Sequence, residues 1–184
     1  MEQKDYKMEI MNELAKKESH GRELAKVVGT NQMTISRKLL ELRERNMIDF
    51  KEEGKNKVYF IKKNNEARNF LFISEHYKLL KVLQKYPQLR KIIDKVQTDE
   101  RIEVAVLFGS YAKEIAKRDS DIDVFIETKN KKIKEELEKT DSKASVKIGD
   151  LSEDNLLLKE IERNHVIIKG VEKYYERIGF FKEN

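Results

Sequence analysis

Two apolar runs separated by a glycine turn constrain this chain more than any other feature. Val104-Ala105-Val106-Leu107-Phe108 is continuous, β-branched and aromatic in character, and short, so it reads as a buried strand ending at Gly109. Gly109-Ser110 lets the backbone turn tightly into a short helix around Tyr111 to Ala116. After ten intervening residues a second strand follows, Asp121-Ile122-Asp123-Val124-Phe125-Ile126-Glu127. Its two aspartates stand at i and i+2, so both project from one face about 6–7 Å apart along the strand. Divalent cations can bridge that spacing. Backbone N–H groups at a helix start, a small hydroxyl and a missing Cβ together leave a place for phosphate. Hard oxygen ligands beside such a cradle suit Mg²⁺ better than zinc.

The pattern Gly-Ser, ten intervening residues and Asp-x-Asp on a strand resembles the DNA polymerase beta nucleotidyltransferase superfamily. Leu107 to Val124 is most similar to its small prokaryotic branch, the minimal nucleotidyltransferases. The resemblance implies that Gly109 and Ser110 bind a nucleoside triphosphate, with ATP the expected one. It implies that Asp121 and Asp123 hold Mg²⁺ as catalytic metal ligands, and that a nucleotidyl (AMP) group moves to a protein or small-molecule hydroxyl. Some members of the family modify a toxin partner, which implies a protein acceptor of that kind. The resemblance spans residues 95–180, with its specific residues in 107–124.

Active members of the family also carry a third carboxylate on the next strand. Here that strand is Ala144-Ser145-Val146-Lys147-Ile148-Gly149, with no acid in its middle. Asp150, at its C-terminal end, is the near candidate for the third catalytic acid, and Asp141, Glu153 and Asp154 are poorer ones. Lys147 in the third position would offset charge without ligating a metal. Nucleotide binding would then persist while transfer is slow or lost.

The N-terminal third has a different organisation. Residues 5–17 place Ile10, Met11 and Leu14 on one helical face. Ser19 is placed to cap a second helix that Gly29 ends, and a third helix runs from Gln32 to about Asn46. Met47 to Lys51 and Lys57 to Ile61 read as strands joined by the loop Glu52 to Asn56, which contains Gly54. Helix-turn-helix plus hairpin is a winged helix. The stretch Ala25 to Leu39 resembles the recognition region of prokaryotic winged-helix transcription regulators. In that arrangement Gln32, Met33, Thr34 and Arg37 face double-stranded DNA and Asn31, Ser36 and Lys38 support them, while Lys55 and Lys57 reach phosphates from the wing. A homodimer would read two half-sites.

Between these regions, Phe70, Leu71, Ile73, Tyr77, Leu80 and Leu83 recur at helical spacing until Pro87, and Leu89, Ile92, Ile93 and Val96 continue on a second helix. Helices rather than a flexible tether therefore join the halves. The expected fold class is α+β: a winged helix over residues 1–63, a helical connector over 64–98, and a small α/β nucleotidyltransferase-like domain with a mixed sheet over 99–184. His20, His76 and His165 lack a nearby second ligand and read as ordinary residues. With no cysteine there is neither a disulfide framework nor a cysteine metal site. A net charge of +5 permits nucleic-acid binding. No run approaches a membrane span or a signal peptide, so a cytoplasmic protein without a membrane partner is expected. Two functions stay open: an Mg²⁺-dependent nucleotidyltransferase, or a DNA-binding regulator whose degenerate nucleotidyltransferase domain senses nucleotide or dimerises.

Overall fold

The computed structural model describes residues 4–151 and 155–182. The chain divides into two compact units, Met1–Ser74 with Phe181–Asn184, and Glu75–Phe180.

In the first unit Asp5 caps α1 (Tyr6–Lys16) by accepting from the backbone N–H of Lys7 at 2.9 Å and of Met8 at 3.4 Å. α2 (Gly21–Val28) stops at Gly29 in the left-handed conformation. Asn31 then caps α3 (Gln32–Glu44), its side-chain oxygen accepting from the Thr34 N–H at 2.8 Å. Ser19 does not cap α2 as expected. It lies buried in β1 (Ser19–His20), where its backbone pairs antiparallel opposite Tyr59. His20 takes the N-cap position without a side-chain bond, and the Ser19 hydroxyl donates back to the Lys17 carbonyl at 3.4 Å.

β2 (Ile48–Glu53) and β3 (Asn56–Ile61) form a hairpin, and the sheet order is β1-β3-β2. Glu52 and Glu53 pair with Lys57 and Asn56, so the turn shrinks from the expected five residues to Gly54-Lys55. Ile10, Met11, Leu24, Ile35, Leu39, Leu42 and Ile48 fill the core beneath. One buried polar pair crosses it: Ser74 Oγ donates to Asn12 Oδ1 at 2.9 Å while the Asn12 amide donates to the Ser74 carbonyl at 3.2 Å.

α4 (Asn65–Lys85) contributes residues to both units. The second unit continues through a 3₁₀ turn (Pro87–Leu89) and α5 (Arg90–Thr98). Then come β4 (Ala105–Leu107), α6 (Gly109–Ala112), β5 (Ile122–Glu127), α7 (Lys131–Glu138) and β6 (Ala144–Gly149), followed by α8 (Leu156–Arg163), β7 (Val166–Lys169) and α9 (Val171–Arg177). Residues 152–154, just before α8, lie outside the described residues. The sheet order is β6-β5-β4-β7, with β5 and β6 parallel and the other pairs antiparallel, a mixed sheet as expected.

Strand alternation sorts this sheet into two chemistries. Ala105, Leu107, Ile122, Val124, Ile126, Val146, Val166 and Ile168 pack with Ile92, Ile93 and Val96 of α5 and with Ile133 and Leu137 of α7. The other face carries Asp123 and Phe125 from β5 and Ser145 and Lys147 from β6. Among the described residues no helix is long and apolar enough to cross a membrane.

A buried ionic cluster ties α4, α9 and His165, the residue before β7, together. Glu75 is 1% exposed. Its Oε1 accepts from Tyr175 Oη at 2.8 Å and from Lys78 Nζ at 2.9 Å, and His165 Nε2 lies 3.7 Å away. Lys78 Nζ is also 2.8 Å from Oε2, but that oxygen lacks a hydrogen bond of good angle. We take the Lys78 contact at Oε2 as charge attraction alone. His165 Nδ1 faces the Ile161 carbonyl at 2.8 Å, which fixes Nδ1 as the donor. Burial pushes the Glu75 carboxyl up, yet the Lys78 and His165 charges outweigh it and hold the group at about 2.

A carboxyl depressed in the folded state contributes stability above its unfolded value near 4.5, and that contribution is lost as pH falls toward 2. A shift of this size is worth on the order of 3 kcal/mol. Glu75→Gln should therefore be less stable at pH 7 and should lack the part of the acid-induced loss between about pH 4.5 and 2. Denaturant unfolding of both proteins across that range checks it.

Candidate functional site

The end of β4 and the start of β5 are locked by one backbone bond, from the Phe108 N–H to the Asp123 carbonyl at 3.0 Å. The chain then turns at Gly109 with φ 67°, a left-handed conformation that favours glycine. A Cβ added there would lie 2.2 Å from Asp123 Oδ2. The backbone of Gly109 is thus closed directly onto the Asp123 carboxylate. Ser110 is half-buried in α6, which begins at Gly109 and ends at Ala112, earlier at both ends than the expected Tyr111 to Ala116. Glu114, at φ 57°, marks the break two residues further on.

Asp121 precedes β5 by one residue and is exposed, while Asp123 is half-buried on the strand. Burial raises the Asp123 carboxyl first, and the Asp121 charge raises it further. Ser145, directly opposite Asp123 on β6, lowers it by a hydrogen bond, and the Lys147 ammonium lowers it by its charge. Glu160 of α8 raises it. Glu160 is itself held by Lys113 Nζ at 2.7 Å.

Gly109, Ser110, Asp121 and Asp123 are therefore gathered at one end of β5. Asp150 is placed elsewhere. It follows Gly149, which pairs with Glu127, and lies five residues along β6 from the Asp123 level, about 16 Å at strand rise. Asp141 sits in the turn before β6, accepting from the Lys143 N–H at 2.9 Å. Glu153 and Asp154 lie outside the described residues. Ser145 and Glu160 were not singled out in the sequence. Ser145 needs the β5–β6 register to be seen, and Glu160 comes from a helix with no local signal of its destination.

Among the described residues no three His, Asp or Glu side chains converge closely enough to hold a metal alone. Two carboxylates nevertheless fit Mg²⁺, which keeps several waters and commonly takes one or two protein carboxylates plus substrate phosphates. After burial, the Asp121 charge is the next cause of the elevation at Asp123, and a cation bound there would relieve that repulsion.

In the first unit, α3 exposes Gln32, Met33, Ser36 and Arg37, with Met33 at 84% and Leu40 at 52% exposure. Thr34 is half-buried, and the side-chain oxygen of Asn31 is engaged as the cap. Lys38 is tied to Glu41 at 2.8 and 2.9 Å. Lys55 is exposed at the hairpin turn, whereas the Lys57 ammonium lies 4.1 Å from the centre of the Phe50 ring, where Arg43 also packs at 4.5 Å.

Gly109→Ala should drive a Cβ into Asp123 and strain the backbone, costing at least about 2 kcal/mol and weakening divalent-cation binding. Gly29→Ala, at a similar φ of 73° but with open space around the added Cβ, should cost only about 1 kcal/mol. Thermal melts and Mn²⁺ titrations of both variants separate the two effects.

Comparison with curated proteins gives no match. Residues 90–173 match the family model described as Polymerase beta, Nucleotidyltransferase. That span runs from the start of α5 into α9 and includes the whole mixed sheet together with Gly109, Ser110, Asp121 and Asp123. Residues 90–173 of the second unit are thus similar to that family, which supports a nucleotidyltransferase type of fold there.

Proposed function

We propose that the second unit binds a nucleoside triphosphate with Mg²⁺, ATP being the expected nucleotide, and transfers its nucleotidyl group to a protein or small-molecule hydroxyl. The observation that carries this reading is the closure of Gly109 onto Asp123 with Asp121 beside it, inside the segment that matches the family. Transfer joins the acceptor oxygen to the α-phosphorus and releases pyrophosphate and the hydroxyl proton. Catalysis of such a step is positional and electrostatic. Gly109 and Ser110 hold and orient the triphosphate at the turn. Asp121 and Asp123 are the residues that would hold Mg²⁺, which when bound supplies charge neutralisation at the phosphates.

The first unit we read as a winged helix over residues 1–63 that binds double-stranded DNA. Supporting this are the short turn between α2 and α3, the exposed Gln32, Ser36 and Arg37, and the hairpin with Lys55 at its turn. The capped Asn31 and the ion-paired Lys38 favour Arg37 as the main phosphate or base contact. A homodimer would place two such helices on adjacent half-sites.

A second reading is supported by β6, where Ser145 and Lys147 stand on Asp123's face and no acid does. The protein would then be a DNA-binding regulator whose second unit senses nucleotide without transferring it.

Incubation with α-³²P-ATP and Mg²⁺, alone and in a cell lysate, should give labelling that Asp123→Asn abolishes. Labelling that persists undiminished in that variant would remove Asp123 from the site. Nucleotide binding without any labelling would favour the regulator. For the first unit, Arg37→Ala should weaken DNA binding about tenfold and flatten its salt dependence. Fluorescence anisotropy at several salt concentrations reads both.

A further inference from the structure

Lys147 stands one alternation along β6 from Ser145, the residue directly across from Asp123, and its charge is the wrong sign for a metal ligand. Asp123 pairs with Ser145 and Phe125 with Lys147, so Lys147 lies on Asp123's face one alternation further along β6. The side chain is exposed, and among the described residues its ammonium makes no ion pair or hydrogen bond. Several other lysines of this unit, unlike Lys147, are engaged with the protein. Lys113 holds Glu160, Lys81 and Lys85 hold Glu114, and Lys143 donates to the Arg118 carbonyl. Lys147 stays uncommitted although its charge reaches Asp123.

An ammonium has three donors and no lone pair, so it cannot ligate a metal. Beside two carboxylates it would repel a further divalent ion while attracting phosphate oxygens as a point charge. We infer that Lys147 is a phosphate ligand, binding the triphosphate beside Asp121 and Asp123 where a second divalent ion would otherwise sit. The site then works with one divalent cation and one ammonium. This rests on the nucleotide-binding reading above and specifies how the nucleotide is held.

The test uses the full chain and a fluorescent ATP analogue, titrated with Mg²⁺ and with EDTA, for wild type, Lys147→Met, Lys147→Arg and Asp123→Asn. Melting curves establish that each variant is folded. Lys147→Met should bind the nucleotide about tenfold more weakly, and Lys147→Arg should recover most of the loss. Asp123→Asn should keep the binding seen in EDTA, since that part depends on the ammonium. Lys147→Asp supplies a second readout without nucleotide. An added acid on that face should tighten Mn²⁺ binding, followed by electron paramagnetic resonance. Equal nucleotide affinity of wild type and Lys147→Met in both conditions overturns the inference while leaving the nucleotide site standing. Failure of wild type to bind the analogue under either condition overturns the nucleotide reading itself, and the inference with it.

Discussion

The turn at Gly109 exists because no side chain stands between its backbone and the Asp123 carboxylate. That contact couples two constraints that usually act separately. The left-handed φ selects glycine for backbone reasons, and the 2.2 Å approach selects it for steric ones. Beside the turn, the Phe108 N–H donates to the Asp123 carbonyl, continuing the register of β4 on β5. Displace the turn and the Gly109 backbone loses its place against the Asp123 carboxylate. The site is thus a consequence of how two strands are joined.

The same logic explains what could be read from residues alone. Val104 to Phe108 and Val124 to Ile126 are legible because strand segments buried on both faces need unbroken apolar runs. Gly-Ser and Asp-x-Asp are legible because their spacing is local to one turn and one strand. Ser19 was misread because its fate depends on β3, almost forty residues away, and a capping preference near 1 kcal/mol yields to a buried pairing. The hairpin turn was read too long because Glu52 and Glu53 look like loop residues, yet an exposed edge tolerates them as pairing partners of Lys57 and Asn56. Register also decides the fate of the near third-acid candidate. Parallel pairing of β5 with β6 carries Asp150 to the Glu127 end of the sheet. His165 looked ordinary in the sequence, and its pairing with Glu75 depends on a contact ninety residues apart along the chain.

That buried pairing bears on the site from a distance. His165 anchors the Ile161 carbonyl in the last turn of α8, and Glu160 is the residue before it. Glu160 in turn holds Lys113, which follows α6 directly, and adds negative potential at Asp123. A chain of contacts therefore runs from Glu75, through the 3.7 Å approach of His165 and its bond to the Ile161 carbonyl, to Glu160 and Lys113. α8 thereby adds one negative charge to the surroundings of Asp123, behind burial and Asp121 in effect.

With two protein carboxylates, Mg²⁺ would have to complete its ligands from water and substrate phosphate. Metal and nucleotide affinities are then linked, each raising the other by the same factor. A third acid on β6 would loosen that linkage by holding the metal in advance. A lysine there strengthens it, because the ammonium disfavours a metal without phosphate and favours phosphate once it arrives. In the proposed reading, β6 therefore makes the site responsive to the nucleotide itself, a property that serves a transferase and a nucleotide-sensing regulator alike. What separates those two outcomes is whether an acceptor hydroxyl can lose its proton without a third carboxylate, which depends on the water and side chains around Asp123 and not on the affinity for the triphosphate.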